Sequence, residues 1–99
     1  MVTLVVRHHV RDYDAWKPIF DEHESVRRKH GSTGHRLLRL AEDRNDVVVA
    51  LDFPTAEAAQ AFGQDPSLPE AMERGGVDSE PEIMMGERIE SIAYEPAVA

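Results

Sequence analysis

Leu4, Val6, His8 and Val10 share one parity of an extended segment, and Thr3, Val5, Arg7 and His9 share the other, so residues 3–10 predict a strand. Asp12 and Asp14 offer N-cap oxygens for a helix that starts around Asp14, keeps Pro18 near its first turn, runs to about His30 and stops at Gly31. Gly31-Ser32-Thr33-Gly34 is a turn by composition, and His35–Ala41 follows as a second strand. The polar run Glu42-Asp43-Arg44-Asn45 fits a hairpin loop leading into a third strand, Asp46–Phe53. Val47, Val48, Val49, Ala50 and Leu51 are apolar on both parities, the pattern of a central strand covered on both faces. Pro54 and Thr55 open an Ala-rich helix that Gly63 and Pro66 interrupt. Ser67-Leu68-Pro69-Glu70 reads as a capping box for a short further helix ended by Gly75-Gly76. After a loop at Asp78–Pro81, Glu82–Tyr94 predicts the last strand, with a bulge at Gly86.

The order β-α-β-β-α-β is the ferredoxin-like α+β arrangement: a four-stranded antiparallel sheet with helices on one face. It forms a single domain over residues 1–94, followed by a tail at 95–99. The third strand implies that the other face is apolar too, and the chain has no spare element to cover it. A second copy, sheet against sheet, is the economical cover, so a homodimer is expected.

Viewed down the first helix at 100° per residue, Phe20, His23, Arg27 and His30 all fall within about 40° of Trp16. His23 and Arg27 therefore sit in the middle of the buried stripe. Unpartnered polar groups inside a protein cost about 1–3 kcal/mol each, so the pair requires a reason. One is a pocket between helix and sheet, walled by Trp16 and Phe20, with His23 as acid/base group and Arg27 holding an anionic oxygen. The other is a core histidine bonded to a carbonyl, with Arg27 snorkelling past the sheet edge to a carboxylate. His8 faces a buried surface of the first strand, where it can approach His23 if that surface lies under the helix; the alternative is a partly wet position near the strand end. His9 has the opposite parity, towards the dimer interface or a wet strand end.

Composition narrows the chemistry. Eleven Lys+Arg against nineteen Asp+Glu give a net charge of −8, with +1 on residues 1–50 and −9 on 51–99. No basic face is offered to nucleic acid or an anionic membrane. The absence of cysteine excludes disulfides, thiolate catalysis and zinc–thiolate sites. No apolar run is long enough for a membrane span or a signal-peptide core, and the expected location is cytoplasmic. Nucleotide-binding glycine motifs, hydrolase elbows and metal-ligand spacings of histidine are all missing, so neither a cofactor nor a metal is expected.

The stretch Val6-Arg7-His8 through Asp12-Tyr13-Asp14-Ala15-Trp16-Lys17-Pro18-Ile19-Phe20-Asp21-Glu22-His23, with Gly34–Arg39, resembles small bacterial proteins of the dimeric α+β barrel superfamily. These are known as cyclases or antibiotic-biosynthesis-monooxygenase-like proteins, and the likeness spans about residues 3–94. Aromatic polyketide cyclases of this fold are similar at Phe20-Asp21-Glu22-His23, where a Phe-x-Glu-His segment carries the acid/base histidine, and at Arg36-Leu37-Leu38. That likeness implies His23 and Arg36 as the catalytic pair. Those cyclases carry a histidine in strand three, where this chain has Val49-Ala50-Leu51. The cofactor-free quinone-forming monooxygenases group Asn, Trp and Arg with the tryptophan on the middle helix, whereas Trp16 lies on the first. Haem-degrading relatives need a histidine on the second helix, and residues 54–74 contain none.

The combined expectation is a small apolar pocket acting on an aromatic or polyketide-like carbonyl compound. His23 is its acid/base group, Arg36 or Arg27 steadies negative charge, and His8, Trp16 and Phe20 line it. A cofactor-independent oxygenase and a non-catalytic ligand-binding or stress-related dimer are the alternatives.

Overall fold

A computed structural model describes residues 1–97, so Val98 and Ala99 of the expected tail lie outside the described residues. The elements are β1 (Val2–His9), α1 (Tyr13–Glu22), α2 (Glu24–Lys29), β2 (Gly34–Leu40), β3 (Asp43–Phe53), α3 (Ala56–Gly63), α4 (Ser67–Arg74) and β4 (Glu82–Glu87). The sheet runs β2-β3-β1-β4 with every neighbouring pair antiparallel, which is the ferredoxin-like order. Among the described residues no helix is long and apolar enough to cross a membrane.

Strand register sorts the side chains into two populations. Leu4 lies opposite Leu51, Val6 opposite Val49 and His8 opposite Val47. Together with Phe53 they face the helices, where Trp16, Ala59 and Phe62 complete the core. The alternate positions Thr3, Val5, Val48, Ala50 and Asp52 point to the other face, beside Arg36, Leu38 and Met84 of the outer strands. β3 is buried at Val47 and from Val49 to Phe53, in keeping with its central place in the sheet.

Five local expectations are corrected. First, α1 starts at Tyr13, one residue earlier than expected, because Asp12 caps it by accepting from the Asp14 N–H at 3.1 Å. Second, the helix expected to run unbroken to His30 is two pieces meeting at His23, whose N–H is shared between the Ile19 and Phe20 carbonyls at 3.2 Å each. Third, the β2–β3 turn is Ala41-Glu42, with β3 beginning at Asp43 and a register shift after Arg39. Fourth, the capping box at Ser67 is not formed: Pro66 is the cap residue, and the Asp65 carboxylate accepts the Ser67 N–H at 2.9 Å. Fifth, β4 ends at Glu87 and has no bulge at Gly86, which pairs in register with Thr3. Its register with β1 closes at Val2 opposite Glu87, and beyond it the Arg88 N–H still donates to the Met1 carbonyl at 2.9 Å before the chain leaves the sheet.

Trp16 is held against the second crossover. A methyl group on Gly75 would lie 2.9 Å from Trp16 Cδ1 and 3.1 Å from the Ala71 carbonyl, both closer than van der Waals contact, whereas one on Gly63 would meet nothing within 4 Å. Gly75→Ala is therefore expected to destabilise the fold by about 1–3 kcal/mol. Gly63→Ala should be neutral or stabilising by up to about 1 kcal/mol. Urea unfolding followed by fluorescence of the single tryptophan measures both; equal stabilities would show that Trp16 does not pack as described.

Candidate functional site

A cavity of about 320 Å³ opens between the helices and the sheet. Its floor is apolar, formed by Leu4, Val6, Val49 and Leu51, and Phe62, Leu68 and Met72 close it from the second crossover. Ile83 and Met85 of β4 form one edge. The first helical arm supplies most of the polar chemistry: His23 and Arg27 line the cavity together with Trp16 and Phe20, and His8 joins them from β1. Five of the six residues singled out from the sequence thus meet in one place. The (i, i+3/i+4) stripe survives the break at His23 because both helical pieces keep the same face towards the sheet.

Arg36 is the exception, and the expected His23–Arg36 pair is not formed. Arg36 lies opposite Ala50 on β3, whose side chain points away from the helices. Its guanidinium reaches Asp52 at 3.1 and 3.4 Å. Asp52 also takes the Thr3 hydroxyl at 2.8 Å and Arg88 at 2.8 Å. Burial pushes the Asp52 carboxyl up, but these three donors outweigh it and hold the carboxyl below its ordinary value. Arg36 is a back-face ion-pair residue. Strand parity decides this, and the resemblance to cyclases did not carry parity with it.

His23 is buried, and its Nε2 lies 2.8 Å from the Ser67 hydroxyl. Ser67 Oγ donates to Asp65 Oδ1 at 2.6 Å, and His30 Nε2 donates to Asp65 Oδ2 at 2.7 Å. His30 and Ser67 hold Asp65 well below the usual carboxylate range. Burial lowers the pKa of His23, and the nearby Arg27 charge lowers it further, so the ring is neutral at pH 7. Neither Ser67 nor Asp65 was anticipated. The only signals in the sequence were an Asp and a Ser ahead of a helix and His30 at the end of the buried stripe, and no spacing says that positions 23 and 67 meet.

Arg27 is 3% exposed and makes no ion pair among the described residues, so of its two expected arrangements the snorkelling one, with a carboxylate at the sheet edge, is not formed. Its guanidinium carbon sits 3.8 Å above the Phe20 ring centre, and Nη1 donates to the Phe20 carbonyl at 2.8 Å. Nη2 is buried without a partner, and burial lowers the Arg27 pKa. His8 is likewise buried with its Nδ1 unpartnered; it meets Trp16 edge-on at 5.8 Å, and burial lowers its pKa. Both residues line the cavity, and each keeps one buried polar atom without a protein partner, a condition that a bound polar atom could relieve.

His9, Tyr13 and Tyr94 lie outside the cavity lining. His9 stands at the wet end of β1 between Asp78 at 2.6 Å and Asp43 at 3.3 Å, and the Asp78 bond raises its pKa. Tyr13 packs on Trp16 under Arg39, and Tyr94 is exposed. Among the described residues no group of three or more His, Asp or Glu gathers as a metal site would require.

No protein-family profile matches the sequence, and comparison with curated proteins finds no match. Solved structures do share the fold. A variant of SnoaB, a cofactor-independent oxygenase from Streptomyces nogalater, matches with a TM-score of 0.73 at 22% identity, over 92% of this chain and 95% of that one. An antibiotic biosynthesis monooxygenase matches with a TM-score of 0.71 at 12% identity, over 91% of this chain and all of the other. A protein of Mycobacterium tuberculosis gives 0.70 at 12% identity, over 93% and 98%. At these identities the likeness is one of fold, the ferredoxin-like α+β arrangement expected from the sequence.

The histidines divide by burial. His8 and His23 are expected to titrate below their ordinary value of about 6.5 and His9 above it, with Asp78→Asn returning His9 towards the ordinary value. For the buried pair the unfolded chain binds more protons, so stability falls as pH drops from about 6.5 to the lowered folded pKa values. An NMR titration of the ring protons checks both; a normal titration of His23 would remove it from the cavity wall.

Proposed function

We propose that this protein is a cofactor-independent oxygenase of small fused-ring phenols or enols, sharing its fold with an enzyme of that kind. The single observation that carries the reading is a neutral buried histidine and an unpartnered arginine N–H on the wall of an otherwise apolar cavity. The volume is at the small end of ligand sites, suited to a flat aromatic compound sandwiched near Trp16 and Phe20.

His23 takes the proton from an acidic C–H or phenolic O–H, and Arg27 Nη2 donates to the oxygen on which negative charge gathers. The resulting enolate is electron-rich enough to reduce dioxygen itself, and the apolar walls keep water from quenching it. For an activated methylene, one methylene group and one dioxygen give one carbonyl group and one water. One oxygen atom enters the carbonyl, the other leaves as water with both methylene hydrogens, and the substrate supplies all the electrons. In this reading the His8 ring lines the cavity beside Trp16 and contacts the far end of the substrate. The expected acid/base cyclisation uses the same first step, with Arg27 steadying the charge because Arg36 is bound to Asp52 on the other face, and differs in consuming no oxygen.

Oxygen uptake and quinone absorbance with a hydroxyanthrone test this. His23→Gln is expected to lower kcat by about 10²–10⁴-fold. Arg27→Met should lower activity yet leave stability equal or higher, since it removes a half-satisfied buried charge. The rate should rise with pH through a midpoint below about 6.5, as His23 becomes the free base. Turnover without oxygen uptake would make the protein an isomerase or cyclase, and binding without turnover a carrier.

The working form in this reading is a homodimer joined through the back face of the sheet. Leu38 and Met84 there are 57% and 69% exposed beside half-buried Val5 and Val48, apolar side chains that no element among the described residues covers. Sedimentation should give about twice the chain mass at micromolar concentration, and Met84→Glu should shift it towards the monomer. A monomer before substitution would end the dimer reading.

A further inference from the structure

The cavity histidine is the end of a chain of four polar side chains, and the direction of every hydrogen bond in that chain can be worked out. Asp65 is ionised and can only accept. The proton shared at 2.6 Å between Ser67 Oγ and Asp65 Oδ1 therefore belongs to Ser67. The same Oδ1 accepts the Ser67 backbone N–H at 2.9 Å, and Oδ2 accepts from His30 Nε2 at 2.7 Å. With its one proton committed to Asp65, Ser67 presents only a lone pair to His23 Nε2 at 2.8 Å. His23 Nε2 must then carry a hydrogen, and in the neutral ring Nδ1 is bare.

We infer that Ser67 and Asp65 are positioning residues that lock His23 in the Nε2–H tautomer, making Nδ1 the atom that accepts the substrate proton, with His30 fixing the Asp65 carboxylate. The inference deepens the reading of His23 as the base and rests on that reading for its role in catalysis. When Nδ1 takes the proton, the positive ring keeps its Nε2–H on Ser67, and the Asp65 charge stabilises it through one intervening hydroxyl. No side chain rearranges during this step, because all partners of the proton-accepting ring are in place beforehand. The groups around the ring are Arg27 from α2 and Arg74 from α4, which oppose its protonation, and Asp65, which favours it. Removing the Asp65 link therefore leaves the two cations unopposed.

The test combines nitrogen NMR of His23 with steady-state kinetics on the full chain. In the unaltered protein the pyrrole-like nitrogen is expected at Nε2 and the pyridine-like nitrogen at Nδ1. Ser67→Ala should mix the two tautomers, shift the His23 titration further down, and lower kcat about tenfold or more with KM little changed. Ser67→Thr, which keeps the hydroxyl, should restore both readouts. Asp65→Asn reads the same link without touching Ser67, so a misfolded Ser67→Ala would not remove the test. A hydrogen on Nδ1 in the unaltered protein would overturn the inference. An unchanged tautomer and unchanged pH profile in both Ser67→Ala and Asp65→Asn would also overturn it. The tautomer is read without substrate, so a locked ring in a protein that consumes no oxygen would defeat the oxygenase reading alone.

Discussion

The hydrogen-bonded bridge from His23 through Ser67 and Asp65 to His30 is the constraint on which the rest of the site depends. It joins the break between the first two helical pieces to the start of α4, the two sides between which the cavity opens. Around it the rings of His23 and His30 lie 5.8 and 6.0 Å from Phe62, so the polar bridge is packed on an aromatic wall. Every link of the bridge pairs a donor with an acceptor, which is what makes so many ionisable groups tolerable in a small domain. The same bridge accompanies two local departures from regular helix structure: the break at His23 and the loss of the expected Ser67 cap.

Arg27 shows the opposite condition. Its charge is almost completely buried, offset only by the Phe20 ring beneath it and one carbonyl, with a donor left over. A fold selected for stability alone would hold methionine or leucine there, since a half-satisfied buried charge is costly. The cost falls in the cavity, whose lining also includes His8 with its own unpartnered nitrogen. Unmet polar groups at one concave site, with satisfied ion pairs elsewhere, are the distribution expected where binding a polar ligand completes the structure.

The two faces of the sheet divide the work. The helix face holds the cavity and its histidines. The back face holds a buried carboxylate neutralised by Arg36 and Arg88, next to the exposed apolar side chains of β2 and β4. Arg36 lies one residue from His35, which meets Phe20 at 5.0 Å on the helix side, so a single step along a strand moves a residue from one function to the other.

The periodicity of the chain determined the element order, the sheet class and the stripe Trp16, Phe20, His23, Arg27, because these rest on spacings of two and of three to four residues. It also put His8 on one parity with Leu4, Val6 and Val10, while the packing of the helices decided that this parity faces them. Element ends were less legible. Asp12, Asp65 and the early end of β1 set them, and each acts through a bond or a missing partner that local pattern does not contain. Tertiary structure alone decided that Arg36 belongs to the other face and that Arg27 reaches a carbonyl rather than a carboxylate. It also brought Ser67, 44 positions away, within 2.8 Å of His23 Nε2. Local geometry settles which side chains share a face, but which distant groups meet depends on how the two crossovers pack over the sheet.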